Sequence, residues 1–437
     1  MKKKYSFLPV ACLLLFSHVN AQKSGNKKEQ KAVEISAPMA AKDDGFNKYS
    51  NNKVLTTEDI VITDEIKPVK GNEKVLKNAI IIYKNDGTLV SYDLDSKKQN
   101  WVFKFTDGTK EKMRNQFNIN NGVLYATSSK KQIVALNVND GSMFWKNNIG
   151  LEDVEKRYAI NGQNLPISKS LIFLPSFNHN LYAFNRFTGQ HVWNYKLQFE
   201  FNLYAPAVND QYLVIPNAPW VYCFETQTGK AIWQRGFKDR PMYAAPRIDS
   251  ERAYVAEERD IVYALNLKNM ANIDWQFQLP ENQSRVKESL ILGNGVLYFS
   301  SSLTMPSVKD SIKNGLVYAL DSKTGKLLWQ TEISEGRYIR SLQKYNDYLI
   351  GFANNDDKVG GNIFVINSKD GKKKEIKKSK EPGISNATRY DENSVAFLTR
   401  NYFTIYNFKE DSFNEQNLNI QDPANSSFDV YMEIVRK

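Results

Sequence analysis

Six of the seven tryptophans in this chain stand at one position of a recurring block. That regularity restricts the possible folds more than any other feature. The block runs apolar, apolar, small, apolar, then Asn, Asp or Glu; a turn that usually contains Gly follows, and then Trp. Its clearest copy is Val317-Tyr318-Ala319-Leu320-Asp321 with Thr324-Gly325 and Trp329. Earlier copies occupy 89–93 with Trp101, 133–137 with Gly141 and Trp145, 181–185 with Gly189 and Trp193, 221–225 with Gly229 and Trp233, and 262–266 with Trp275. Two degenerate copies, 363–367 with Gly371 and 403–407, lack the tryptophan. Five intervals separate Trp101 from Trp329, a mean of about 46 residues, so the stretch from about residue 73 to the end holds eight units.

Each unit also carries an upstream apolar run, such as 123–126, 171–174 or 295–299. An earlier segment precedes that run, as in Tyr204-Ala205-Pro206-Ala207-Val208 and Tyr243-Ala244-Ala245-Pro246-Arg247. Four strands in a period of this length predict a propeller blade rather than a helical solenoid. The expected fold is all-β, an eight-bladed β-propeller of four-stranded antiparallel blades. The small residue (Ala135, Ala183, Ala264, Ala319) lets adjacent blades approach, and Cys223 reads as a buried substitute for it. Asn or Asp at the strand end bonds its own turn, and Thr-Gly supplies a residue tolerant of positive φ. Trp101, Trp145, Trp193, Trp233, Trp275 and Trp329 are then structural docking residues that fill the gap between blades.

The first 21 residues read as a secretory signal: Lys2, Lys3 and Lys4, a short apolar run, and Val19-Asn20-Ala21 before the expected cut. Cys12 suggests lipidation as an alternative, but Pro9 stands at −3 and the apolar run continues past the cysteine. Residues 22–53 are polar, without apolar periodicity, and read as a flexible tether; 54–437 are assigned to the propeller. No later run is long and apolar enough for a spanning helix. Loss of the signal takes the formal charge from +11 to +8, a surplus that favours acidic surfaces. The lysines are scattered along the chain, which argues against nucleic acid as a partner.

The pattern in residues 317–329 resembles the pyrroloquinoline quinone (PQQ)-like propeller repeat, and the resemblance extends over about residues 73–420. It implies eight blades but no cofactor, because both quinoprotein dehydrogenases and the non-enzymatic BamB-type branch carry the repeat. The dehydrogenases of the family have longer chains, a vicinal cysteine pair and calcium ligands. Here Cys223 is the only cysteine after residue 21, and the acidic pairs Asp43-Asp44 and Asp356-Asp357 read as tether and loop. His179 and His191, twelve residues apart, read as surface or turn residues. No Gly-rich phosphate loop or nucleophile elbow is present. The expectation is a non-enzymatic periplasmic scaffold without cofactor, associated with the outer membrane only through protein partners such as barrel or translocon components. An accessory or plug subunit of a secretion translocon, and a quinone-dependent enzyme or small-ligand sensor, are the alternatives.

Partner binding is expected at one channel mouth, where Arg or Tyr recurs just before or within the innermost strand. These residues are Arg114, Arg157 with Tyr158, Tyr204, Arg240 with Tyr243, Arg285, Arg337 with Tyr338, and Arg389 with Tyr390. Such a ring suits carboxylates, backbone carbonyls or an extended peptide. In the competing reading each Arg pairs with an acid of its own loop, such as Glu152, Asp153 or Glu335. The long loops 301–315 and 354–361 rise from the same face. For ring closure, either residues 428–434 complete the first blade or residues 59–63 complete the last.

Overall fold

The computed structural model describes residues 60–62, 78–84, 87–105, 117–128, 132–148, 165–175, 180–198, 205–237, 241–242, 244–257, 260–269, 272–280, 283–284, 286, 290–303, 312–355, 360–376, 378–417 and 431–435. All belong to the unit Glu34–Lys437. The signal and tether of the sequence reading therefore lie outside the described residues.

Eight separate antiparallel sheets follow one another along the chain, so the propeller fold and the blade count hold. Blade 4 shows the standard layout from the axis outwards: Ala207–Val208, Tyr212–Asn217, Trp220–Glu225 and Ala231–Gly236. The two middle strands of a blade are packed against neighbouring blades on both faces. Their sequences are accordingly continuous apolar runs without alternation; Val123–Thr127 and Leu171–Pro175 are buried at every position. Eight apolar clusters form the core, and each draws chiefly on two consecutive blades, including blade 8 with blade 1.

The tryptophans do more than fill these interfaces. Every motif indole N–H donates to the carbonyl just after the Asn, Asp or Glu of the following blade: Trp101 to Val138 at 3.0 Å, Trp145 to Arg186 at 3.0 Å and Trp193 to Thr226 at 3.2 Å. Trp233 reaches Leu267 at 3.0 Å, Trp275 Ser322 at 2.9 Å and Trp329 Ser368 at 3.2 Å. The indole ring also lies flat over the turn glycine of that blade. A Cβ at Gly189 would stand 2.5 Å from the Trp145 ring, and φ there is +71°. Gly141, Gly229, Gly325 and Gly371 repeat this contact under Trp101, Trp193, Trp275 and Trp329. Where the preceding blade has no tryptophan, the same turn position keeps positive φ but carries a side chain, Lys97 in blade 1 and Asp411 in blade 8. At the five glycine turns the overlying ring excludes a side chain as firmly as the backbone disfavours one.

The two degenerate blades differ in register as well as in residue type. In blades 1 to 6 the pairing of third and outer strands slips by one residue just after the small residue, a β-bulge that aims the Trp forward. Blades 7 and 8 have no such slip. Their spacing from the strand-end Asn to the Trp-equivalent position is seven residues (Asn367 to Lys374, Asn407 to Asn414), against eight from Asp321 to Trp329. Lys374 pairs with Val365 as Trp329 pairs with Ala319, and its ammonium donates to the Phe408 carbonyl, the same acceptor position that the indoles use. A charged side chain here preserves the blade-to-blade tie.

Closure follows the first of the two expectations. Tyr431–Val435 forms the innermost strand of blade 1, with Ala79 opposite Val435 and Tyr83 opposite Tyr431. Asn386 of blade 8 clasps the Met432 backbone from both sides, donating to its carbonyl and accepting from its N–H at 2.9 Å each. The alternative is corrected: Ile60–Ile62 does not complete the last blade but adds a fifth strand to the outer edge of blade 2, along Trp145 to Asn147. An outer edge is where unpaired backbone groups remain available to a short strand.

Candidate functional site at the central channel

The innermost strands surround the propeller axis, and their ends and connecting loops form the channel mouths. Of the arginines and tyrosines expected at one mouth, Arg114, Arg157, Tyr158, Tyr204, Arg240, Tyr243 and Arg285 lie outside the described residues. Arg337 and Tyr338 stand where expected, at the start of the innermost strand of blade 7, Tyr338–Tyr345. The Arg337 guanidinium lies 5.3 Å from the centre of the Tyr338 ring, and its Nε donates to the Asn355 carbonyl at 3.1 Å. Leu303 N–H donates to the Arg337 carbonyl at 2.9 Å, tying the residue to the end of blade 6. The competing pairing with Glu335 does not form here, since Glu335 is held by Lys373 at 2.8 Å. Arg337 is thus positioned by a ring and a carbonyl and, among the described residues, is paired with no acid.

Arg389 requires a correction. It ends the two-residue inner strand Thr388–Arg389 and runs into the turn 391–393, with its Nε on the Asp391 carbonyl at 3.3 Å. It therefore belongs to the opposite face from Arg337. The Arg-Tyr pair resembles that of blade 7 in sequence, but so short a strand offers no periodicity to show which end it occupies.

Deeper in the channel one level can be followed from blade to blade. It consists of the inner-strand residue that pairs, across the second strand, with the small residue of the motif. Blade 1 places Glu433 there, blade 2 Asn118, blade 5 Arg247, blade 7 Gln343 and blade 8 Thr388. Residues paired across antiparallel strands share one face, and that face looks toward the following blade. Thr388 Oγ accordingly donates to Glu433 at 2.9 Å, and Asn118 Nδ2 to the Leu165 carbonyl at 2.9 Å. Burial, and then the nearby Glu433 carboxylate, push the Tyr345 phenol well above its ordinary range. Arg247 has no comparable partner. Its one hydrogen bond among the described residues runs from Nη1 to the Pro246 carbonyl at 3.0 Å, and burial alone lowers its pKa to about 10.

Arg247 ends the segment Tyr243-Ala244-Ala245-Pro246-Arg247 and is not among the arginines that the sequence sets at the mouth. The signal was present, since Pro206-Ala207-Val208 and Pro246-Arg247-Ile248 are equivalent in consecutive repeats and the second puts a cation where the first has alanine. His191 is half-buried against the rings of Tyr182 and Phe184, at 6.2 and 5.9 Å, and burial lowers its pKa. Cys223 is fully buried, as the small-residue position requires.

Comparison with known proteins agrees with this architecture. A PQQ-repeat family described as outer membrane protein assembly factor BamB matches residues 63–203 and 177–371. BamB of Francisella tularensis subsp. tularensis is 26% identical over 149 residues, 34% of this chain and 30% of that protein. Tetrathionate hydrolase of Acidithiobacillus ferrooxidans is 22% identical over 245 residues, 51% of this chain and 49% of that enzyme. The matched stretches thus span between about a third and a half of these relatives. The crystal structure of BamB from Moraxella catarrhalis superposes with a TM-score of 0.54 at 14% identity, covering 77% of this chain and 96% of that one, a likeness of fold. With eight PQQ-type blades and a family match across residues 63–371, the chain belongs to the β-propeller family of outer membrane protein assembly factor BamB.

Proposed function

We propose that the protein is a non-enzymatic β-propeller scaffold of the periplasm that binds other proteins at the outer membrane, within an outer-membrane protein assembly or secretion complex. The observation that supports this most is the BamB family match over most of the ring. Within that ring the repeated residues serve contacts between blades, which leaves recognition to the loops at the mouth. Arg337, stacked on Tyr338 and directed at a backbone carbonyl, is of the type that grips carbonyls and carboxylates of a partner. Attachment to the membrane runs through partners; among the described residues no helix is long and apolar enough to cross a bilayer.

Affinity purification from envelope membranes in mild detergent tests the reading. Outer-membrane barrel or translocon proteins are expected to co-purify, and joint replacement of Arg240, Arg285 and Arg337 by Glu should abolish their capture while the protein stays folded. Unchanged capture by the triple variant would remove the mouth from the reading, and absence of any envelope protein would overturn it. A spectral change on adding PQQ and calcium would overturn its non-enzymatic part.

A further inference from the structure

Arg247 is the unusual residue of the channel wall. Protein surrounds its guanidinium closely enough to lower its pKa, yet part of the residue remains accessible. The inner strands of blades 4, 5 and 6 lie side by side, and at this level Arg247 is flanked by Ala207 and Ile291. Neither neighbour can accept a hydrogen bond through its side chain. A guanidinium carries five N–H donors, and here one of its nitrogens is bonded, to the adjacent Pro246 carbonyl. No carboxylate of the described residues comes within 4.0 Å. The acid of the same level, Glu433, belongs to blade 1, four blades away around a ring of eight, and is engaged by Thr388.

A cation withdrawn from water without a counter-charge is costly, and apolar replacements of similar volume are commonly neutral or stabilising. We propose that Arg247 anchors a carboxylate-binding site in the channel. Its planar fork takes both oxygens of the ligand, and Ala207 and Ile291 give the adjoining apolar wall. The carboxylate comes either from a peptide terminus or acidic side chain entering the channel, or from a small organic acid. This inference does not rest on the scaffold reading, since it concerns the isolated protein and a defined ligand.

The test uses the full mature chain and two kinds of probe at constant ionic strength. One is succinate, compared with chloride; the other is a short peptide with one acidic side chain and a free C-terminus, compared with its C-terminally amidated twin. Each is followed by calorimetric titration and by thermal melting. Binding of succinate or of the free peptide is expected, with at least a tenfold loss of affinity in Arg247→Gln. Preference for the free peptide over both succinate and the amidated twin identifies a chain terminus; equal binding of the twins identifies a side-chain carboxylate, and succinate alone a small acid. Arg247→Met should melt at or above the wild type without ligand and should not respond to carboxylate. The proposal is overturned if wild type and Arg247→Gln respond alike, including no response from either, or if Arg247→Met melts well below the wild type.

Discussion

Replacing Trp145 by alanine removes a fully buried indole from between blades 2 and 3. A tryptophan buries roughly 150–250 Å², which at about 25 cal/mol per Å² amounts to about 4–6 kcal/mol. Measured Trp-to-Ala losses of about 3–5 kcal/mol set a lower scale. The change also strands the Arg186 carbonyl, which now accepts the indole N–H at 3.0 Å. A loss of about 4–5 kcal/mol is therefore expected. Docking itself is tested by combination with Gly189→Ala. That substitution meets two obstacles, a φ of +71° and the Trp145 ring 2.5 Å from the new Cβ. The first costs roughly 1–2 kcal/mol, and displacing the ring adds roughly 1–3 kcal/mol. With the indole gone only the first remains, so the double variant should be more stable than the sum of the singles by about 1–3 kcal/mol. Urea unfolding followed by far-ultraviolet circular dichroism gives all three values. Additivity within about 0.5 kcal/mol, with both singles destabilised, would refute the packing of ring on glycine.

Lys374→Met keeps the apolar stem but removes the donor to Phe408, and should lower stability by about 1–3 kcal/mol; an unchanged urea midpoint would show that the lysine does not replace the missing tryptophan. Removing the strand Tyr431–Val435 should raise hydrogen exchange in blades 1 and 8 together, and exchange unchanged in either would refute the closure. Burial holds the His191 imidazole below its ordinary 6.5, so the unfolded chain takes up a proton more readily than the native one. Stability is therefore unaffected above that pH and falls as the pH drops from 6.5 toward the depressed value. His191→Gln should flatten the difference in urea midpoint between about pH 7.5 and about pH 5.5, and an unchanged difference would refute this origin.

The frame of the molecule was legible because its repeat encodes contacts in pairs. Trp145 with Gly189 or Trp275 with Gly325 is a bulky ring and the gap that receives it, and both halves appear in the sequence at a fixed period. Lys374 was not legible as part of that system. It shares no shape with tryptophan, and the one-residue shortening after Asn367 removes the bulge and shifts its place in the motif. The channel was least legible of all. Several inner strands have two residues, too few for periodicity, and their side chains are placed by neighbouring blades rather than by their own sequence. Read from sequence, Arg389 therefore falls at the same mouth as Arg337, although it ends its strand whereas Arg337 stands at the head of the eight-residue strand Tyr338–Tyr345.

The strand that closes the ring also sets the moment at which the protein becomes complete. Val435 must find Ala79, 356 positions earlier in the chain, before blade 1 acquires its axial strand. Bringing such distant segments together has an entropic cost on the order of 5 kcal/mol. The strand Tyr431–Val435 thus decides whether the first blade is finished, and a chain without it carries an open axial edge in blade 1. Completion of the ring is reported at one seam, where Asn386 holds Met432.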